Sequence, residues 1–194
     1  MKKTLLVAVI ACLAASNAAA LSFAWSAKSI AFDGTTLKNS EAVTGYLIYL
    51  GNNGSLGSTF DISSATTGAD VANVIGTKVD EKNKTSAVGK LANSYNFNYG
   101  EAPGKNGDVF AMLLTYTNEG TTYFNLSTTT TKLSGLVDDT SGIDAVDFTE
   151  GFKFTTAEPS SSLKAGGGWT AVPEPSTAAL ALAGLALLLK RRKA

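Results

Sequence analysis

Two apolar segments near the ends of the chain most constrain what it can fold into. Residues 5–15 carry no charge, and residues 178–189 have no polar side chain at all. A segment that is apolar all round has no face to turn towards water, so we expect both to lie outside the folded body. The intervening residues 21–171, about 150 in number, suffice for one domain with a hydrophobic core.

The N-terminal segment has the layout of a secretory signal peptide. Two lysines follow Met1, the apolar run comes next, and small residues lead to Ala18, Ala19 and Ala20. A small residue at Ala18 and another at Ala20 form an Ala-x-Ala pattern, which predicts cleavage before Leu21. The expected partners of this segment are therefore the general secretion machinery and signal peptidase.

Cys12, the only cysteine, supports a second interpretation of this segment. Val9 to Cys12 resembles the lipobox of bacterial lipoproteins, in which the cysteine is lipidated, but apolar residues continue past Cys12. Cleavage before Leu21 would leave a body without a thiol. The chain also has no histidine, which excludes Ser-His-Asp and Cys-His nucleophiles and every histidine-containing zinc site.

The C-terminal segment has three parts in a fixed order. Pro173 and Pro175 predict a stiff extended stub around Glu174. Residues 176–189 follow as a predicted helix, about 21 Å long at about 1.5 Å per residue. A bilayer core of about 30 Å needs about 20 residues, so this transmembrane helix is a marginal span. Four cations then form a predicted membrane stop on the cytoplasmic side: Lys190, Arg191, Arg192 and Lys193.

These three parts resemble the PEP-CTERM sorting signal. The resemblance rests on Val172-Pro173-Glu174-Pro175, the Ala/Leu segment and the terminal cations, about 23 of 194 residues. It implies that in a Gram-negative bacterium a membrane-embedded cysteine protease, the exosortase, recognises the Pro-Glu-Pro motif and processes the tail. It also implies a precursor held in the inner membrane by the C-terminal helix, and a passenger that reaches the cell surface or extracellular matrix. Alternatives from the residues alone are a plain C-terminal anchor and a buried core helix.

The body itself is mildly acidic. Ten lysines stand against fifteen acidic residues between residues 21 and 171, a balance of about −5. Nucleic acid needs a basic face, so it is not an expected partner.

The body has the composition of a β-protein, rich in Thr, Ser, Asn and Gly with aromatic residues spaced through it. The residues Asn118-Glu119-Gly120, between two β-prone segments, predict a hairpin connection. We therefore predict an all-β fold, a single antiparallel β-sandwich-like domain. Its predicted strands cover residues 21–32, 43–50, 58–63, 95–99, 109–117, 121–132 and 151–156.

Two parts of the body have different patterns. Helical spacing predicts one or two short helices around residues 66–92, with a charged loop over residues 78–84. Ser and Gly from residue 160 to residue 168 predict a linker. The expected organisation is a signal peptide (1–20), a β-rich passenger domain (21–158), a Ser/Gly linker (159–171) and a sorting tail (172–194) that contains the transmembrane helix.

Acidic residues in a predicted loop are weak candidates for a metal site. Oxygen ligands at close spacing could bind calcium, but the spacing does not match an EF-hand loop, and a solvated acidic loop explains the pattern as well. The residues are Asp138, Asp139, Asp144, Asp147 and Glu150. We predict no metal and no other cofactor.

The function of the body stays open at this point among three hypotheses. The first is a non-catalytic structural or adhesive surface protein. The second is a carbohydrate-binding module for matrix polysaccharide, in which Tyr95, Phe97 and Tyr99 could stack on sugars, although the same alternation fits the core face of a strand. The third is a small hydrolase that uses paired carboxylates.

Overall fold

The computed structural model describes residues 20–137 and 143–172, which form an all-β fold with one short helix. The helix α1 covers Gly68–Ile75, and a 3-10 turn covers Thr149–Gly151. The strands are β1 (Ala20–Ala27), β2 (Ala31–Phe32), β3 (Thr35–Thr36), β4 (Val43–Asn52), β5 (Thr59–Asp61), β6 (Thr77–Asn83), β7 (Leu91–Asn98), β8 (Asp108–Asn118), β9 (Thr121–Lys132), β10 (Val146–Asp147), β11 (Ser162–Lys164) and β12 (Thr170–Ala171).

A five-stranded antiparallel sheet in the order β12-β9-β8-β4-β6 is the centre of the fold. Its predicted hairpin is confirmed: Glu119 and Gly120 join β8 to β9 with φ of 50° and 84°, the positive values that a tight hairpin turn requires. The first eight residues of β8 are all buried, because both faces of the sheet are covered.

Two layers cover the two faces of this sheet. On one face lies a three-stranded sheet in the order β10-β1-β7, in which β1 pairs antiparallel with β7 and parallel with β10. Between them is the main core, which includes Phe23, Trp25, Leu47, Phe110 and Trp169. On the other face, α1 and the β5–β11 pair close a smaller core. The predicted sandwich-like arrangement is therefore observed.

The strand register defines two ends of the five-stranded sheet. At one end, which we call the exit end, β4 and β9 begin and β6, β8 and β12 finish. The opposite end, where Asn52 pairs with Asp108, is called the far end. The pairs that mark the exit end are Val43–Tyr116, Thr44–Asn83 and Tyr123–Ala171.

The predictions for residues 66–92 are correct in part. The helix α1 confirms a short helix, and Thr67 caps it with a reciprocal bond to Asp70. The predicted charged loop over residues 78–84 is instead mostly strand β6. It is an edge strand, where charged side chains are common because they discourage pairing with other chains. The helical spacing near residue 91 was also misleading, since β7 begins there.

Two further segments differ from their predictions. Residues 151–156 do not form a regular strand, although Phe152 and Phe154 do stack on each other, with ring centroids 5.9 Å apart. The segment predicted as a linker, residues 159–171, contains β11 and β12. There Leu163 is fully buried and pairs with Phe60, so these residues pack on the body.

Candidate sorting junction

The short strand β12 joins the body to the C-terminal segment. Thr170 pairs with Phe124 and Ala171 pairs with Tyr123, at the outer edge of β9. Both β12 residues are buried, and Ser160 N–H donates to the carbonyl oxygen of Ala171 at 2.8 Å. The main chain is therefore held on two sides up to residue 171.

Trp169 fixes the segment that leads into β12. Its ring is fully buried, and its indole N–H donates to the carbonyl oxygen of Ala31 at 2.7 Å. Its backbone N–H donates to Thr155, and its carbonyl oxygen accepts from Ala157, at 2.8 and 2.7 Å. A tryptophan that is both buried and hydrogen-bonded has little freedom to move, so the junction is part of the core.

The point where β12 stops follows from the sequence after it. Because β12 runs antiparallel to β9, it heads towards the start of β9 at Thr121. The partly buried Val172 still packs against the smaller core. Pro173 comes next, and proline has no N–H to continue a strand ladder. Strand β12 and the described residues therefore finish at the exit end, beside the β8–β9 hairpin.

The structure places some of the predicted sorting residues and leaves others outside the described residues. Pro173, Glu174 and Pro175 lie outside them, as do the predicted helix over 176–189 and the four terminal cations. Ala18 also lies outside, whereas Ala20 is the first residue of β1 and Leu21, which is buried, follows it. Among residues 20–137 and 143–172, no helix is long and apolar enough to cross a membrane.

Comparison with known proteins places a family signature on this junction. A family model described as the PEP-CTERM protein-sorting motif matches residues 171–193, and so begins inside β12. No curated protein and no solved structure matches the chain. The fold and the motif together define an exported all-β passenger that is attached to a C-terminal sorting signal. The chain therefore carries a PEP-CTERM sorting signal, a motif that the exosortase membrane protease recognises and that implies export through a membrane-anchored precursor.

The acidic loop contributes no metal centre in the part of the chain that is described. Asp138 and Asp139 lie outside the described residues, and Asp144 and Glu150 are exposed. Asp147 forms an ion pair with Lys28 and accepts hydrogen bonds from Thr149. Within residues 20–137 and 143–172, no group of three potential ligands converges on one point.

The aromatic row of β7 faces the core. Phe97 is buried, and Tyr95 and Tyr99 are half-buried against the main core. Tyr95 and Phe97 stack with ring centroids 5.9 Å apart, and both rings approach Phe23, at 6.0 and 6.2 Å. The row therefore packs against the main core, as the core interpretation expects.

Asp108 is the charged residue that the sequence did not single out. It is fully buried at the far end and accepts hydrogen bonds from Gly104 N–H, Lys105 N–H, the Asn52 amide and the Tyr49 hydroxyl, at 2.7, 2.8, 2.9 and 3.1 Å. Burial alone would raise the pKa of this carboxyl, but the four donors outweigh burial and hold the pKa below its ordinary value of 3.8. Burial and this carboxylate together raise the pKa of Tyr49. Two donors come from strand β4 and two from the loop before β8, so Asp108 joins that loop to the end of β4.

Proposed function

We propose that the body is a non-catalytic structural or adhesive passenger, which processing by exosortase delivers to the cell surface or the extracellular matrix. The observation that carries the proposal is the position of the sorting motif. Because the motif begins inside β12, body and signal form one continuous unit, with no spacer at the junction. The ordered body therefore extends to the residue at which the sorting signal begins.

Two inward-facing carboxylates, Asp108 and Asp80, accept hydrogen bonds from other parts of the body, which supports a non-catalytic role. Asp108 accepts hydrogen bonds from four donors at the far end, two in strand β4 and two in the loop before β8. Asp80 accepts from the Trp25 indole N–H at 2.8 Å and from the Asn93 amide at 3.1 Å. A carboxylate that acts as a nucleophile or base must be free to meet a substrate, whereas these two already bind core and loop residues.

The outer face of the three-stranded sheet supports a surface role. Its exposed side chains are small or polar, and they meet in cross-strand pairs: Ser22 lies opposite Asn96, and Ala24 lies opposite Ser94. This face is therefore an exposed polar surface. Such a surface suits contact with a matrix component or a neighbouring protein along its length.

Surface exposure and sugar binding test the proposal separately. Brief protease treatment of intact cells should remove the body from the surface fraction if it is displayed there. Purified residues 21–172 should show no saturable binding on a glycan array. Saturable binding to one glycan class would instead favour the carbohydrate-binding alternative, and a body that intact cells protect from protease would contradict surface display.

A further inference from the structure

The most exposed large apolar side chain among the described residues is Val88. It is 69% exposed, against 43% for Val74 and 47% for Val137. Val88 lies at the tip of the loop that joins β6 to β7, residues 84–90. Because β6 finishes and β7 starts next to each other, this loop lies at the exit end of the body. Single exposed apolar residues are common on protein surfaces. Whether Val88 belongs to a binding site therefore depends on the residues around it.

Hydrogen bonds to residues 30–40 hold the loop that carries Val88 in place. Thr85 is buried, and its hydroxyl donates to the Leu37 carbonyl at 2.5 Å and accepts from Ser40 N–H at 3.0 Å. Gly89 accepts from Ile30 N–H at 3.0 Å with a φ of +68°, a conformation that favours glycine. The loop therefore presents Val88 on a fixed turn, and a contact made there orders little further chain.

Lysines surround the base of this turn. Lys82, Lys84 and Lys90 line a groove of about 340 Å³ with Ser86 and Ala92. Lys84 forms an ion pair with Glu41 at 2.9 Å. Within residues 20–137 and 143–172, Lys82 and Lys90 form none. Three of the ten lysines of an acidic body thus gather beside its most exposed valine, and two of them keep an unneutralised charge.

The tail ties this loop to a membrane surface. Five residues, 173–177, separate Val172 from the apolar segment that begins at residue 178. At about 3.6 Å per residue they can span at most about 18 Å. The edge strand β6 lies four strand positions from β12, or about 19 Å at about 4.8 Å per strand. Val172 and the loop over 84–90 both lie at the exit end, so in the anchored precursor the loop can reach the headgroups of the membrane that holds the tail.

We infer that loop 84–90, with Lys82 and Lys90 beside it, binds the anionic phospholipid headgroups of the membrane that holds the precursor. The lysine ammonium groups pair with headgroup phosphates, and Val88 enters the apolar boundary between them. The contact is a second attachment point beside the tail. It fixes the orientation of the body while the Pro-Glu-Pro segment is available to the protease.

Carboxylates at the exit end determine which of the three lysines can attract headgroup phosphates. Glu41 neutralises Lys84, so Lys82 and Lys90 carry the attraction. Glu119 lies in the β8–β9 turn, two to three strand positions from β6, or about 10–14 Å. That separation is about one Debye length at moderate salt, so Glu119 weakens the attraction little.

Position-specific quenching in vesicles tests the inference. In a Cys12→Ser background, the full chain carries Val88→Cys or, as the matched control, Val74→Cys, each labelled with an environment-sensitive fluorophore. Val74 is an exposed valine near the C-terminal end of α1, where Gly76 lies against Tyr49, away from the exit end. The chain is reconstituted into phosphatidylethanolamine vesicles with or without phosphatidylglycerol, and a quencher is attached to the headgroups.

We expect quenching at position 88 and little at position 74, with the signal at 88 lost when phosphatidylglycerol is left out or salt is raised. Lys82→Gln and Lys90→Gln should each weaken the contact about fivefold. The control pair Lys105→Gln and Lys132→Gln removes charges at the far end and should leave the membrane contact unchanged. Equal quenching at both positions would overturn the inference. So would quenching at position 88 that is the same in Lys82→Gln and Lys90→Gln as in the parent. No exosortase is present, so the result is independent of whether the tail is a sorting signal.

Discussion

The indole N–H of Trp169 donates to the carbonyl oxygen of Ala31 at 2.7 Å, and this bond ties the segment before the sorting motif to the β2–β3 hairpin. The ring also lies 6.1 Å from Phe32 and 6.1 Å from Tyr116, between ring centroids. Two residues later, at Ala171, the sorting motif begins. The core of the body and the start of the signal are thus part of one packed unit.

Removing the Trp169 ring should destabilise the whole body. Trp169→Ala leaves a large cavity and should lower the free energy of unfolding by about 3–5 kcal/mol. Trp169→Phe keeps part of the ring but leaves the Ala31 carbonyl without its donor, at a cost of about 1–3 kcal/mol. Urea denaturation of residues 21–172 measures both. Val74→Ala, at an exposed site, is the control, and a Trp169→Ala loss as small as that of Val74→Ala would show that the junction lies outside the core.

Asp108 should make the stability of the body depend on pH. Its folded pKa lies below the ordinary 3.8, because four donors outweigh its burial. The stabilisation is therefore present above the unfolded pKa and is lost as the pH falls through the folded pKa. Asp108→Asn turns amide hydrogens towards the N–H groups of Gly104 and Lys105, and should cost about 1–3 kcal/mol at neutral pH.

The difference in the free energy of unfolding between Asp108→Asn and the parent should become smaller as the pH falls below about 4. Urea denaturation at several pH values measures it. Glu119→Gln, at an exposed turn residue, should change the free energy of unfolding by less than about 0.5 kcal/mol. If the gap between parent and Asp108→Asn were constant down to acid pH, the ionised form of Asp108 would not be the stabilising one.

Local patterns predicted the strands whose turns and alternation are unambiguous. The β8–β9 hairpin follows from Asn118-Glu119-Gly120 between two long β-prone segments. The second half of β7 follows from the alternation of Tyr95, Phe97 and Tyr99 with asparagines, although the strand ends before Tyr99. The charged strand β6 could not be found in this way. Val79 packs against the main core, but its neighbours are mostly charged, and only pairing with β4 makes the segment a strand.

The sorting motif could be predicted from its own residues, but its attachment to the body could not. The Ser and Gly composition before Trp169 is typical of a linker. What makes it part of the fold are contacts with residues far away in the sequence: Leu163 with Phe60, and Trp169 with Ala31. Asp108 was missed for the same reason, since its donors at Tyr49 and Asn52 lie more than 50 residues away.

The mature N-terminus is expected at Leu21. Cleavage there would remove only Ala20 from β1 and keep Leu21, Phe23 and Trp25, which are buried in the main core. N-terminal sequencing or mass spectrometry of the exported protein measures the cleavage position. A lipid-modified Cys12 at the N-terminus would contradict the signal peptidase prediction and favour the lipoprotein interpretation.

The Pro-Glu-Pro segment should control processing without affecting folding. Pro173, Glu174 and Pro175 lie beyond the last strand, so their replacement by alanine should leave the body folded and exported across the inner membrane. Removing Lys190, Arg191, Arg192 and Lys193 provides the comparison. This deletion should weaken retention before processing, because the cations resist passage through the membrane.

Cell fractionation of the triple-alanine variant, with size measured on gels, tests the central claim most directly. We expect the variant to stay unprocessed in the inner membrane fraction, while the parent is processed and leaves that fraction. If the triple-alanine variant reaches the cell surface at the same processed size as the parent, the Pro-Glu-Pro segment is not a sorting signal in this protein, and the tail is only an anchor.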